Sequence, residues 1–138
     1  ALTWEKIFEQ TDRDINLQRV MNILSFGNTT GAHDWIPDRA IGPTEDTLYE
    51  QEKDYNDGQL SVILNKPLPE IQAMATAGKR AILMKHRKEQ LRKLIDVYYQ
   101  ERGWTNQGIP KVDTLKQIGL WHFLSEESQA AIRAMSAL

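Results

Sequence analysis

The chain has 138 residues, of which 41% are hydrophobic and 26% are charged, and this balance is typical of one globular domain. It contains no cysteine, which excludes disulfides, thiolate zinc sites, cysteine nucleophiles and iron–sulfur ligation by its own thiolates, and which suits a reducing compartment. A net charge of −2, with no membrane-length apolar run and no signal peptide, predicts a cytoplasmic protein that binds neither nucleic acid nor membrane.

An amphipathic helix is predicted over residues 3–25. Thr3 is a favourable N-cap, Glu5 lies in the first turn where it faces the helix dipole, and Gly27 is a natural stop. Apolar residues recur at steps of three and four and define the apolar face of this helix. Its main members are Trp4, Phe8, Ile15, Leu17, Met21 and Leu24.

Residues 27–69 are predicted to be largely irregular because glycine and proline are frequent there. Within this segment, residues 44–52 favour a short helix and residues 60–64 favour a short strand. A segment of this length in a compact domain is typical of a functional loop, or of one that wraps over another surface.

A helical stretch is predicted over residues 69–102, with a break near Gly78. A short helix follows over residues 112–118, and a serine cap opens the last helix, over residues 125–137. The predicted fold class is therefore mainly α. We expect a single small helical domain over residues 1–138, with a long irregular segment between the first and later helices.

Charge is unevenly distributed, with −7 on residues 1–60 and +5 on residues 61–138. The basic half peaks in a helix over residues 79–93, whose simplest interpretation is a solvated face. An interface with an acidic partner is the alternative. Nucleic-acid binding is disfavoured because no aromatic residues interleave with the basic ones. The candidate interface residues are Lys85, Arg87, Lys88 and Arg92.

No self-sufficient active site emerges from the residue pattern. His33 and Asp34 are adjacent, but no third ligand stands at a spacing that would complete a metal or general-base site. We expect His86 to be solvated and His122 to be partly buried at the surface. A phosphate-binding loop and a nucleophile elbow are both missing. The sequence thus predicts neither a catalytic residue nor a metal ligand.

One segment carries a more specific pattern. A helix ends at Arg102, Gly103 caps it, and Trp104 packs back against it. The pattern consists of Tyr98-Tyr99, Arg102-Gly103-Trp104, Gly108-Ile109-Pro110, Leu115 and Gly119-Leu120. It resembles the C-terminal signature of the tungsten-dependent aldehyde:ferredoxin oxidoreductase family.

Three further stretches resemble the same family in the same order. They are Asp12-Arg13 with Asn16-Leu17, Arg19 and Asn22; Ile36-Pro37 with Arg39; and Lys66-Pro67-Leu68-Pro69. Asp12 replaces the usual glutamate, Met21 replaces a common aromatic residue, and the usual Arg-Glu-Gly after Asn22 is absent. The resemblance covers roughly residues 3–40 and 64–120. It leaves the branch open, since the family also includes tungsten subunits of aromatic acyl-CoA reductases.

The resemblance implies a large enzyme that holds a tungsten bis-pterin and a four-iron four-sulfur cluster. Such an enzyme oxidises aldehydes to acids, or reduces related acyl substrates, and exchanges electrons with ferredoxin or an electron-transfer subunit. This chain is expected to be the C-terminal part of the third domain, inactive alone and completed by the N-terminal domains. No catalytic residue is carried over. Arg13, Arg19 and Arg39 are candidates for contact with an anionic cofactor, or for ordinary ion pairs between domains.

Two rival hypotheses remain open. The chain is alternatively a stand-alone helical interaction module that uses the basic helix over residues 79–93. A third hypothesis is an enzyme centred on His33 and Asp34.

Overall fold

The computed structural model describes residues 3–27 and 32–137, and in these residues the protein is mainly α-helical, as predicted. It contains two compact units, the first made of Ala1–Trp35 with Ile95–Leu138 and the second of Ile36–Leu94. In chain order the helices are α1 (Trp4–Phe26), α2 (Asp38–Ile41), α3 (Asp46–Gln51), α4 (Lys53–Leu64), α5 (Leu68–Gln72), α6 (Thr76–Glu101), α7 (Val112–Gln117) and α8 (Glu126–Ser136).

The ends of α1 follow the predicted signals. The Thr3 hydroxyl accepts a hydrogen bond from the Lys6 N–H at 3.4 Å, and Gly27 ends the helix with a φ of 72°. The side chains that α1 buries are Asn16, Val20 and Ile23.

The predicted apolar face of α1 is mostly not in the core of the first unit. Trp4, Phe8 and Met21 are 72%, 63% and 57% exposed, and the rings of Trp4 and Phe8 stack on each other at 6.3 Å. The core instead forms around the neighbouring side of the helix. It consists of Val20, Ile23, Ile109, Leu115, Trp121 and Ile132. The side chains of Trp4, Phe8 and Met21 are large and apolar, and the described residues leave them open to solvent.

The segment predicted to be irregular contains helices α2, α3 and α4 and the start of α5, which corrects the expectation for residues 27–69. Two of its prolines stand directly before helices. Pro37 precedes α2 and Pro67 precedes α5, with φ values of −57° and −64°. The short helix predicted over residues 44–52 is confirmed as α3.

The strand predicted over residues 60–64 is wrong, because these residues form the last turns of α4. Leu60 is fully buried on this helix, and burial of one helical face outweighs the strand preference of the neighbouring β-branched residues. Asn65 then ends α4 in the left-handed conformation, with a φ of 50°. The core of the second unit consists of Tyr49, Leu60, Ile71 and Leu83.

The long helical stretch breaks between α5 and α6, at residues 73–75, and Gly78 lies inside α6. Gly103 follows α6 with a φ of 66°, as a capping glycine should. The last helix begins as predicted, since the Ser125 hydroxyl accepts a hydrogen bond from the Ser128 N–H at 3.2 Å.

Candidate functional site

Three residues far apart in sequence form a polar cluster in the first unit. The Arg19 guanidinium, on α1, donates two hydrogen bonds to the Asp34 carboxylate, at 2.8 Å and 2.7 Å. The Tyr99 hydroxyl, on α6, donates to the same carboxylate. The Arg19 and Asp34 side chains are only 11% and 28% exposed. This bidentate geometry is the strongest form of an arginine–carboxylate pair.

The same arginine anchors the turn that carries the most specific sequence pattern. Arg19 Nε donates to the Gly108 carbonyl at 2.7 Å, and the guanidinium lies 4.9 Å from the centre of the Trp104 ring. Trp104 Nε1 donates to Asn16 Oδ1 at 2.9 Å, inside the core. Gly108 has a φ of 77°, and a Cβ there would collide with Arg19 and Tyr99. The signature residues therefore fix the turn against α1.

Electrostatics keeps Asp34 ionised. Burial alone would raise the pKa of Asp34, but the hydrogen bonds from Arg19 and Tyr99 outweigh burial and hold this pKa below its ordinary value. Burial and the nearby Asp34 carboxylate raise the pKa of Tyr99 to about 12. A carboxylate with a lowered pKa is a weak base. The cluster is therefore suited to holding structure together rather than to moving protons.

The other two arginine candidates lie outside this cluster. Arg13 Nε donates to the Ile118 carbonyl at 2.7 Å, which ties α1 to the end of α7. Arg39 is exposed on α2, in the second unit. Arg19 is the candidate whose charge is neutralised, by Asp34.

A second buried cluster lies in the second unit, and sequence reasoning missed it. Lys79 begins the basic stretch that was predicted to be solvated, yet it is 1% exposed. Its Nζ donates to Asp57 Oδ1 at 2.8 Å, and the Tyr49 hydroxyl donates to the same oxygen at 2.6 Å. Asp57 Oδ2 is buried and has no hydrogen-bond partner among the described residues. The sequence gives no signal that this lysine would face inward.

The rest of the basic helix is only partly free to meet a partner. Lys88 pairs with Asp38 at 2.7 Å, and both side chains are substantially exposed. Arg87 donates to Gln59 Oε1 at 2.7 Å and to Asn56 Oδ1 at 3.2 Å, both of which are uncharged acceptors. Two further candidate interface residues, Lys85 and Arg92, are exposed.

The histidines do not converge on a shared site. His33 is exposed, and Asp34 beside it is bonded to Arg19 and Tyr99, so the geometry does not favour catalysis centred on this pair. His86 is half-buried rather than solvated, and His122 is exposed rather than partly buried. In residues 3–27 and 32–137, no three His, Cys, Asp or Glu side chains are grouped to hold a metal ion. No helix in the same ranges is long and apolar enough to cross a membrane.

Comparison with known proteins places these residues in a family context. Over residues 1–120 the chain matches the family model described as aldehyde ferredoxin oxidoreductase, domains 2 & 3. No match was found to a curated protein or to a solved structure. Both buried clusters and the turn at Gly108 fall within the matched range.

Proposed function

This chain belongs to the aldehyde ferredoxin oxidoreductase family, and from that membership we propose that it is a helical, non-catalytic part of a larger tungstopterin iron–sulfur oxidoreductase. The complete enzyme would act on aldehydes or related acyl substrates and exchange electrons with ferredoxin or an electron-transfer subunit. We propose a cytoplasmic location for it. The observation that carries the proposal is the family match over residues 1–120.

The residues of this chain do not fit a role as holders of the metal or the cluster. It contains no cysteine and so supplies no thiolate to a four-iron four-sulfur cluster. Its described residues contain no group of His, Cys, Asp and Glu suited to a metal. We therefore assign the tungsten, or molybdenum, bis-pterin and the cluster to other parts of the enzyme, and we derive no chemical step for this chain.

The arginine candidates fit a supporting role to different degrees. Arg19 already has a carboxylate partner, so an anionic cofactor would have to compete with Asp34 for it. Arg13 donates to a backbone carbonyl, which is neutral and so does not compensate the charge of the guanidinium. Arg39 is exposed with no ion pair among the described residues. We propose Arg13 and Arg39 before Arg19 as residues that contact an anionic group in the complete enzyme.

Exposed aromatic side chains on α1 support a partner within the same enzyme. Trp4, Phe8 and Phe26 are each more than 60% exposed, which is costly for aromatic side chains in water. An interface with the remaining domains would bury them. We propose these domains as the main partner of this chain.

An affinity tag on this chain in its natural host tests the proposal. We expect the purified particle to contain a cysteine-rich polypeptide, either continuous with this chain or as a separate subunit, detectable by intact and peptide mass spectrometry. A particle that contains these 138 residues and no cysteine would contradict the proposal. That result would favour the alternative of a stand-alone interaction module using the helix over residues 79–93.

Exposed charges on α6 suggest where an acidic electron-transfer partner would dock. Lys85 and Arg92 are exposed, whereas Lys79 is buried with Asp57. We propose that Lys85→Glu raises the KM for ferredoxin in the complete enzyme and leaves kcat unchanged. Lys66→Glu is the matched charge control, because Lys66 is also exposed and lies outside α6, two residues before α5 begins. Equal effects of the two variants would contradict docking at α6.

A further inference from the structure

The second unit contains an apolar groove with one arginine at its wall. A cavity of about 520 Å³ is lined by residues of α4, of α6 and of the segment 36–41, which includes α2. Its apolar walls are formed by Ile36, Ile41, Val62, Ile63 and Leu91. Val62 is 82% exposed and Ile36 is 41% exposed, so the groove presents apolar surface to solvent. This volume is in the range that small-molecule sites occupy.

Arg87 gives this groove a charge that no carboxylate cancels. The guanidinium donates to two side-chain amide oxygens and, at 3.4 Å, to the Ile41 carbonyl, all of them neutral. Among the described residues, no carboxylate lies within ion-pair distance of Arg87, and none lines the groove. The buried carboxylate of this unit, Asp57, is bonded to Lys79. A half-buried cation without a counter-ion favours the binding of an anion.

The arginine is also held in place before any ligand arrives. Three acceptors fix its guanidinium, and the side chain packs so closely over Gly42 that a Cβ there would lie 2.6 Å from Arg87 Nη1. A group already fixed in its binding geometry loses little conformational entropy on binding. His86 and Gln90 add two further polar groups to the same wall.

We propose that this groove binds a small monocarboxylate with an apolar tail. The carboxylate meets Arg87, and the tail lies along Val62, Ile63 and Leu91. One fixed guanidinium matches a single carboxylate, whereas phosphate groups are recognised by clusters of cations. A neutral ligand leaves the arginine uncompensated, and a cationic ligand is repelled by it. The proposal does not depend on the proposed function.

Isothermal titration calorimetry of the purified natural protein tests the site with octanoate, octan-1-ol and octylamine as probes. We expect octanoate to bind about tenfold more tightly than octanol, which corresponds to one charge-assisted hydrogen-bonded contact. Octylammonium should show no saturable binding. The preference for octanoate should shrink as salt is raised, because the groove is open to solvent.

Three variants locate the binding. Arg87→Gln should lower the octanoate affinity about tenfold and leave octanol within about twofold, whereas Arg87→Lys, which keeps the charge and loses the fixed guanidinium, should retain only part of the octanoate preference. Val62→Asp places a negative charge on an exposed wall position, and it should weaken octanoate binding severalfold. Leu68→Asp, an exposed apolar position outside the groove, is the matched control and should bind octanoate as the wild type does.

Several outcomes would overturn the proposal. One is an absence of octanoate binding to the wild-type protein, and another is equal affinity for octanoate and octanol. Octanoate binding that Val62→Asp does not weaken, or that Leu68→Asp weakens equally, would place the site elsewhere. Val62→Asp keeps the test decisive even if Arg87→Gln fails to fold, since Val62 is on the surface.

Discussion

Replacing Lys79 by methionine should sharply destabilise the second unit. Lys79 and Asp57 are each 1% exposed and lie 2.8 Å apart, so the variant leaves a buried carboxylate that accepts a hydrogen bond from the Tyr49 hydroxyl and has lost its buried counter-ion. Removing one partner of a buried ion pair costs about 3–5 kcal/mol. Asp57 Oδ2 has no hydrogen-bond partner even in the wild type, which places the expected loss in the upper part of that range. Urea unfolding followed by circular dichroism measures the loss.

The pH dependence of this loss gives a second readout. Burial alone would raise the pKa of Asp57, but hydrogen bonds from Lys79 and Tyr49 lower it below the ordinary value of 3.8. The ion pair therefore stabilises the wild type above the unfolded pKa, and this contribution disappears as pH falls through the folded pKa. Without Lys79 the pKa of Asp57 should rise instead. The stability gap between variant and wild type should thus narrow from pH 7 towards pH 4.

Two further variants make the test specific. Lys88 is on α6, as Lys79 is, and Lys88→Met removes its exposed ion pair with Asp38 on α2. This change should cost no more than about 1 kcal/mol. Lys79→Met combined with Asp57→Asn removes both buried charges, and its loss should be smaller than the sum of the two single losses. Equal losses for Lys79→Met and Lys88→Met, or a gap that does not change with pH, would refute the assigned burial of the pair.

Three other predictions concern the helices and the signature turn, and urea unfolding checks each of them. Gly108→Ala should destabilise the protein by at least about 1 kcal/mol because its φ is 77° and a Cβ would clash, whereas Gly58→Ala, with open space inside α4, should stabilise it by about 0.5–1 kcal/mol. If both substitutions changed the free energy of unfolding in the same direction, the result would contradict the turn geometry. Arg19→Met should cost about 1.5–3 kcal/mol at pH 7, and the difference should shrink as pH falls through the lowered pKa of Asp34, although the contacts of Arg19 with Gly108 and Trp104 remain; a difference that stays constant down to acid pH would contradict the pairing. Leu115→Ala, at a fully buried position, should cost about 2–5 kcal/mol, and a loss below 1 kcal/mol would show that the core assignment is wrong.

Helix ends were predictable from local chemistry, but the buried side of a helix was not. Thr3, Gly27 and Ser125 stand where α1 and α8 begin or end, because a cap needs only nearby residues. The apolar periodicity of α1 pointed to Trp4 and Phe8, yet the core formed on the side of Val20. Periodicity reports an apolar face, and it does not say whether the same chain or another surface covers that face.

The candidate clusters depended on contacts that sequence spacing does not encode. Asp34 was noticed beside His33, but its partners are Arg19 and Tyr99, which lie 15 and 65 residues away. Lys79 belonged to a basic run that favoured a solvated face, and its burial depends on how α4 packs against α6 in the second unit. The family pattern around Gly108 succeeded because the turn requires particular residues at fixed spacing.

Metal analysis of the natural particle, purified through this chain, tests the central claim most directly. Inductively coupled plasma mass spectrometry should find iron together with tungsten or molybdenum in the particle. A particle free of all three metals that still oxidises an aldehyde would contradict membership of a tungstopterin iron–sulfur enzyme.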